Sequence, residues 1–297
     1  MEITDQKTFD TYNSKRISYI IATKNRADSL RKSLTSCRGY KKPNDELIVI
    51  DGASTDNTQN VIKEFSDIID TYISEPDIND KEAWNKGFLL SRGQYIKQIM
   101  DDDIFHKKGL EKVYNVMQDN PDVDLLVCGG VREMDGKTQN VYIPPGNSFG
   151  VSVDDYFQNK SKYSTSGCGI FFRRKLLNTV GLFEVDRPFP DLGFILRSIY
   201  LKKNVRFCRI NMFYHVIEAD SITRKNLNKY NTEFLELLKR YCSVNYKQNF
   251  FRQRKLSYQL VNRLYNILTR PFNKKSFDSP DLIQGNIKKP MWDGGFS

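Results

Sequence analysis

The chain has 297 residues, 39% hydrophobic and 28% charged, with 46 Lys and Arg against 36 Asp and Glu for a formal net charge of +10. That length supports a large core in one or two domains, while no apolar stretch approaches the roughly 18–20 residues of a membrane span. The polar N-terminus, Met1 to Lys15, reads as neither a signal nor a transit peptide. Five scattered cysteines (Cys37, Cys128, Cys168, Cys208 and Cys242) with no CxxC pair fit reduced thiols in a cytoplasmic protein, not a disulfide framework or a zinc site. Two histidines make a His-based metal centre or triad a poor fit.

Ile17 to Ala22 is a compact apolar strand, followed by a helix from Ala27 to Cys37 with Leu30 and Leu34 at helical spacing. Leu47 to Ile50 is a second buried strand ending at Asp51-Gly52, and Ser54, Thr55 and Asp56 offer caps for a helix holding Val61, Ile62 and Phe65. Thr71 to Ile73 is a short third strand, Lys81 to Ser91 a helix, and Tyr95 to Met100 a buried strand that runs into Asp101-Asp102-Asp103. A helix from Leu110 to Asp119 stops at Asn120-Pro121, and a strand from Asp124 to Cys128 follows. Val131 to Met134 and Val141 to Ile143 read as a hairpin around Asp135-Gly136 with a loop of several residues, closed off by Pro144-Pro145-Gly146. Ser166-Gly167-Cys168-Gly169 leads into the strand Ile170 to Phe172, Phe189-Pro190-Asp191 opens a helix through Tyr200, and Val205 to Cys208 and Met212 to Val216 read as two short strands.

Strands alternating with helices in the first half imply a doubly wound, mostly parallel sheet, whose ligand lies outside the carboxyl ends of the strands. Three such ends carry polar clusters: Thr23-Lys24-Asn25-Arg26, Asp51-Gly52-Ala53-Ser54 and the triple aspartate. Adjacent carboxylates repel one another unless a positive group sits among them. A hard divalent cation, Mg²⁺ or Mn²⁺, is the natural partner for oxygen ligands, and held this way it also grips a substrate phosphate. No GxGxxG follows the first strand and no GxxxxGK[ST] occurs, which removes the main support for a dinucleotide fold or a P-loop.

The stretch from Ile17 to Gly130 resembles the nucleotide-sugar-binding half of family 2 glycosyltransferases, which have the GT-A fold. Five segments match in order: Ile20 to Arg26, Val49 to Thr58 (the D-G-x-S-x-D-x-T segment), Ser74 to Asp77 with Ala83 to Gly87 (S-E-P-D and A-x-N-x-G), Ser91 to Ile96, and Asp101 to Phe105 in place of the metal motif. Met100 stands where many relatives have aspartate, and Asn79 where a glycine is usual. The resemblance implies that Asp51 contacts the nucleotide base and that Thr23, Asn25 and Arg26 line the same pocket. It also implies donor-side roles for Asn85 and Lys86. Asp102, with Asp101 or Asp103, would hold the Mn²⁺ or Mg²⁺ that bridges the diphosphate, with Asp101 also facing substrate.

In the second half, Phe189 to Arg197 resembles the family's E-D-x-D-x-x-x-R helix, with Pro190 and Gly193 replacing two acids and Asp191 remaining. The resemblance makes Asp191 the general base that takes the acceptor's proton, giving transfer with inversion; the alternative is Asp191 as a helix N-cap after Pro190. His215 falls where relatives carry a basic or aromatic residue near the diphosphate, a buried structural histidine being the other reading. His106 reads as a solvated loop residue and Trp84 as core.

The expected organisation is a GT-A catalytic domain over residues 1–221, with the nucleotide-sugar half at about 16–130 and a smaller mixed acceptor half at about 131–221, and a basic helical extension over 222–297. Ile222 to Lys275 holds thirteen basic residues against Glu233 and Glu236 alone. Phe250 to Arg270 is amphipathic, and such a helix either lies on an anionic bilayer at the inner membrane face, each nearby cation adding ~1 kcal/mol, or docks on the catalytic body. The expected function is transfer of a sugar from a nucleotide-sugar, UDP-linked at family level, to a glycan or lipid-linked glycan acceptor in surface polysaccharide synthesis. The alternatives are a nucleotidyltransferase, which usually needs a glycine-rich loop that Thr23 to Asp28 lacks, and a nucleic-acid-binding protein using the basic segment, for which no motif is present.

Overall fold

The computed structural model describes residues 15–101, 103–134, 136–141, 149–151 and 167–217, together with Glu233, Glu236, Leu237, Arg240 and Tyr241. Asp102, the strand end at Ile143, Pro144-Pro145-Gly146 and the amphipathic stretch Phe250 to Arg270 lie outside these residues.

The first half alternates as its sequence implies: β1 (Ile17–Thr23), α1 (Ala27–Tyr40), β2 (Glu46–Asp51), α2 (Thr58–Glu64), β3 (Thr71–Ser74), α3 (Asp80–Leu90) and β4 (Tyr95–Met100). These strands pair in parallel in the order β3-β2-β1-β4. Both faces of β1, β2 and β4 are covered, so these strands are buried almost end to end, while the edge strand β3 is partly exposed. Ile20, Ile48, Ile50 and Ile96 point into one core with Trp84 and Phe88 of α3. Tyr19, Ile21, Leu47, Val49 and Tyr95 point into the other with Leu30 and Leu34 of α1. Gly87 lets α3 approach β1 closely, since a Cβ there would stand 2.3 Å from Ile20.

Asp101 follows directly on β4. Asp103 opens a short strand, β5 (Asp103–Phe105), before α4 (Lys107–Asp119), whose N-cap is His106 accepting from the Gly109 N–H at 3.2 Å. Beyond it the sheet is mixed: β6 (Leu125–Met134), β7 (Lys137–Val141), β8 (Phe149–Val151), β9 (Ile170–Arg173), a short helix α5 (Leu177–Val180), α6 (Pro190–Tyr200) and β10 (Val205–Ile217). β9 runs antiparallel between β4 and β6, and β10 pairs in parallel with β6 and antiparallel with β5.

Two local expectations are corrected. The hairpin loop of several residues is a two-residue connection, because Met134 pairs with Lys137. The two short strands at Val205 and Met212 are one strand, β10, interrupted only by register shifts between Cys208 and Phe213. A bulge lets a chain keep its pairing while re-aiming its side chains, and the sequence signature of that is a false gap.

Among the described residues no helix is long and apolar enough to cross a membrane. The described residues of the basic segment pack on the catalytic body. Leu237 sits in the core cluster with Leu192 and Phe194, Tyr241 donates its hydroxyl to Glu184 at 2.8 Å, and Arg187 pairs with Glu233 and Glu236. Two compact units are distinguished, Met1–Phe251 and Arg252–Ser297.

Candidate active site

The carboxyl ends of β1, β2 and β4 meet at one rim. Thr23 donates its hydroxyl to Asp101 Oδ2 at 2.9 Å, and Arg26 places its guanidinium 3.2 Å from Asp101 Oδ1. The turn after β1 is tied to the turn after β2. Asn25 donates its backbone N–H to Ser54 Oγ at 2.7 Å, and its side-chain oxygen accepts the Thr55 N–H at 2.8 Å. Both turns need a left-handed residue, Asn25 at φ 52° and Ala53 at φ 57°. Asparagine visits that region readily and alanine does not, so Ala53 holds strain of the kind that collects at functional loops.

Asp51 is fully buried, and its carboxylate accepts from the Ser54 N–H at 3.2 Å, from the Ser54 hydroxyl, and from the Ser74 hydroxyl at 2.6 Å. It is a fastener that joins β2, the turn after it and β3. The carboxylate lying over that turn is Asp77, whose Oδ2 stands 2.5 Å from where a Cβ on Gly52 would be, with Lys24 3.6 Å from its other oxygen.

Asp103 points into the protein. Its register partner on β10 is His215, and Asp103 Oδ1 contacts His215 Nδ1 directly. Cys168 joins them, with ligand atoms of the three residues all within 4.8 Å of one another. Burial works against a charged imidazole, but Cys168 and Asp103 outweigh it and raise the His215 pKa to about 11, so the contact is an ion pair at neutral pH. Asp103 Oδ2 is buried with no hydrogen-bond partner. Ser33 of α1 braces the run from behind, donating to the Asp103 carbonyl at 3.2 Å and the Met100 carbonyl at 3.3 Å.

Asp191 is not the N-cap of α6. That position is Phe189, Pro190 opens the helix, and Asp191 sits in its first turn. Burial raises its pKa above the ordinary carboxylate value, opposed by hydrogen bonds from the Leu192 and Asp191 N–H groups; Asp80 raises it further and Lys81 lowers it. Its Oδ2 lies 3.1 Å from where a Cβ on Gly167 would be.

The remaining expected residues are engaged elsewhere. Asn85 exchanges two hydrogen bonds with the Phe183 backbone, both 2.9 Å. Lys86 pairs with Glu75 at 2.9 Å, and Trp84 is core. Sequence reasoning passed over Lys97, Gln98 and Cys168. The available signal was two polar side chains in the middle of a strand otherwise built to be buried, since such groups are kept only with partners.

Comparison with known proteins shows the family and the fold. Residues 18–181 match the family described as Glycosyl transferase family 2. The poly(ribitol-phosphate) beta-N-acetylglucosaminyltransferase TarP of Staphylococcus aureus is 25% identical over 272 residues, covering 89% of this chain and 82% of its own. The crystal structure of S. aureus TarS 1-349 in complex with UDP-GlcNAc superposes with a TM-score of 0.62 at 14% identity, over 80% of this chain and 72% of that one. The mannosyltransferase PcManGT from Pyrobaculum calidifontis, in complex with GDP-Man and Mn²⁺, gives 0.61 at 15% identity, over 86% and 81%. The fold is thus GT-A, and since the family match spans more than half of its length, the chain belongs to glycosyltransferase family 2.

Proposed function

We propose that this glycosyltransferase is inverting and cation-dependent, and moves a sugar from a UDP-linked donor to a glycan or lipid-linked glycan acceptor of a surface polysaccharide. The observation that carries the reading is the meeting of Thr23, Arg26 and Asp101 on one rim, with Asp103 behind it paired to His215 and Asp191 of α6 beside Gly167. The likeness to TarP over most of both chains supports an N-acetylhexosamine donor and a cell-surface polymer as acceptor.

The donor side is formed by Thr23, Asn25 and Arg26 on a loop that Asp51 fastens from beneath. Arg26, drawn to the rim by Asp101, supplies positive charge beside the diphosphate. Asn85 and Lys86 serve this side through what they hold, the Phe183 backbone and the Glu75 side chain. The oxygen donors suit Mn²⁺ or Mg²⁺, and the unpartnered Asp103 Oδ2 fits a cation's demand for one more ligand. Asp102 and Asp103, with Asp101, would hold the ion, which when bound would neutralise charge on the leaving nucleoside diphosphate. His215, held by Asp103, is the basic group proposed near the diphosphate. Asp191 takes the proton of the acceptor hydroxyl as its oxygen bonds to the anomeric carbon and the electron pair of the broken bond departs with the diphosphate. The amphipathic stretch Phe250 to Arg270 is proposed to bring the enzyme to an anionic membrane surface, to be checked by sedimentation with anionic vesicles before and after its deletion.

The test is thermal shift and turnover against UDP-, GDP- and dTDP-sugars with Mn²⁺. UDP should stabilise most, EDTA should abolish turnover, and so should Asp102→Asn with the fold kept. Full turnover in EDTA removes the cation from the mechanism.

A further inference from the structure

The turn Gly167–Gly169 touches both halves of the site. Its first residue abuts Asp191, its second places Cys168 beside Asp103 and His215, and its third lies close against β6, where a Cβ would stand 2.3 Å from the Cys128 carbonyl oxygen. The turn itself is held by two consecutive side chains of β4. Neighbouring residues on a strand face opposite sides of the sheet, so Lys97 and Gln98 grip it from two directions. Lys97 donates Nζ to the Cys168 carbonyl at 2.9 Å, and Gln98 donates Nε2 to the Gly167 carbonyl at 2.9 Å.

Both side chains are buried, with relative exposures of 0% and 1%. Lys97 is accommodated by two carbonyl acceptors and the Phe105 ring 4.5 Å from its ammonium. Gln98 is not fully accommodated, since its Oε1 is buried with no partner. Folded proteins rarely keep such an atom without a use. An apolar side chain of the same length would avoid it, so what glutamine adds at this place is the N–H that holds Gly167. The space around Gly167 shows why the hold matters: a Cβ there would lie 2.9 Å from Gln98 Nε2 and 3.1 Å from Asp191 Oδ2, so amide and carboxylate press on the same α-carbon.

We propose that Gln98 is a positioning residue for proton transfer at Asp191, fixing the Gly167 backbone against which the Asp191 carboxylate is seated. The proposal rests on the reading of Asp191 as the base. Gln98 touches neither substrate nor the reacting atoms; it acts through one carbonyl.

Gln98→Met keeps the length and removes the N–H. Transfer kcat should fall about 10- to 100-fold, the scale of a small misplacement of a reacting group, with donor KM and UDP affinity unchanged. In an Asp191→Asn background Gln98→Met should cause no further loss, because both changes act on one step. A folded Gln98→Met with wild-type kcat, or one whose loss repeats in full in the Asp191→Asn background, overturns the proposal. Should Gln98→Met not fold, Gln98→Leu, which also lacks the N–H, carries the same test: a kcat loss at unchanged KM supports the proposal and a wild-type kcat overturns it. The base reading is judged separately, by Asp191→Asn alone, where near-normal transfer defeats it and leaves Gln98 nothing to position.

Discussion

Asp103 and His215, 112 positions apart in the chain, face each other across the antiparallel pairing of β5 with β10, Oδ1 against Nδ1. Their side chains are 0% and 12% exposed, so the pair is a buried one and its members depend on each other. His215→Leu removes the cation and leaves the Asp103 carboxylate buried. Breaking a buried pair from one side costs about 3–5 kcal/mol, and urea unfolding of this variant should show a loss of that size. A change below about 1 kcal/mol, the scale of an exposed pair, would mean that the contact is solvated.

Asp51 accepts three protein donors, so Asp51→Ala should act on the loop before it acts on any ligand. Its loss strands the Ser54 and Ser74 hydroxyls, and stability should fall by about 1–3 kcal/mol. Nucleotide affinity should fall with it, because Ser54 anchors Asn25. Denaturation and UDP titration on one sample separate the cases. Weakened binding at unchanged stability would instead make Asp51 a direct contact to the base.

Asp191→Asn should lower transfer roughly 10²–10⁴-fold, the usual contribution of a general base, with nucleotide binding intact. The same change should stabilise the fold at pH 7. Burial raises the folded-state pKa of Asp191 above its unfolded value, so the stability this group contributes is full at low pH and is lost as pH rises through the folded pKa. At neutral pH the ionised carboxylate is a cost that asparagine removes. Melting curves at pH 7 and at acid pH check the sign: the variant's advantage should shrink on acidification.

Lys97 provides a second titration test. Burial lowers its pKa to about 8, against about 10.4 for a free lysine. Between these values the unfolded chain binds the proton and the folded one does not, so stability from this group rises with pH across that window and is lost as pH falls through about 8. The rise should disappear in Lys97→Met. A wild-type stability that is flat from pH 8 to 10 would mean that the ammonium stays charged within its cage of carbonyls.

Much of the donor half was legible in the sequence. Ile17 to Ala22, with Ser18 its one polar side chain, and Leu47 to Ile50 are apolar runs of strand length, the pattern of a strand covered on both faces. The polar clusters at Thr23, Asp51 and Asp101 follow at the carboxyl ends, where a doubly wound sheet collects its ligands. The second half was harder. A bulged strand looked like two, and a two-residue turn like a longer loop, because local pattern records burial and not pairing.

The amino-acid sequence by itself determined the parallel half-sheet, the rim on which its polar clusters gather and the family to which the chain belongs, because hydrophobic period and motif order are properties of neighbouring residues. Only the tertiary structure decided what each carboxylate faces. Asp51 turns to serines, Asp101 to Thr23 and Arg26, Asp103 to His215, and Asp191 to Gly167. Most of these outcomes depend on how segments far apart in the chain meet, and where strands pair a shift of a single residue would send every side chain of the strand to the other face.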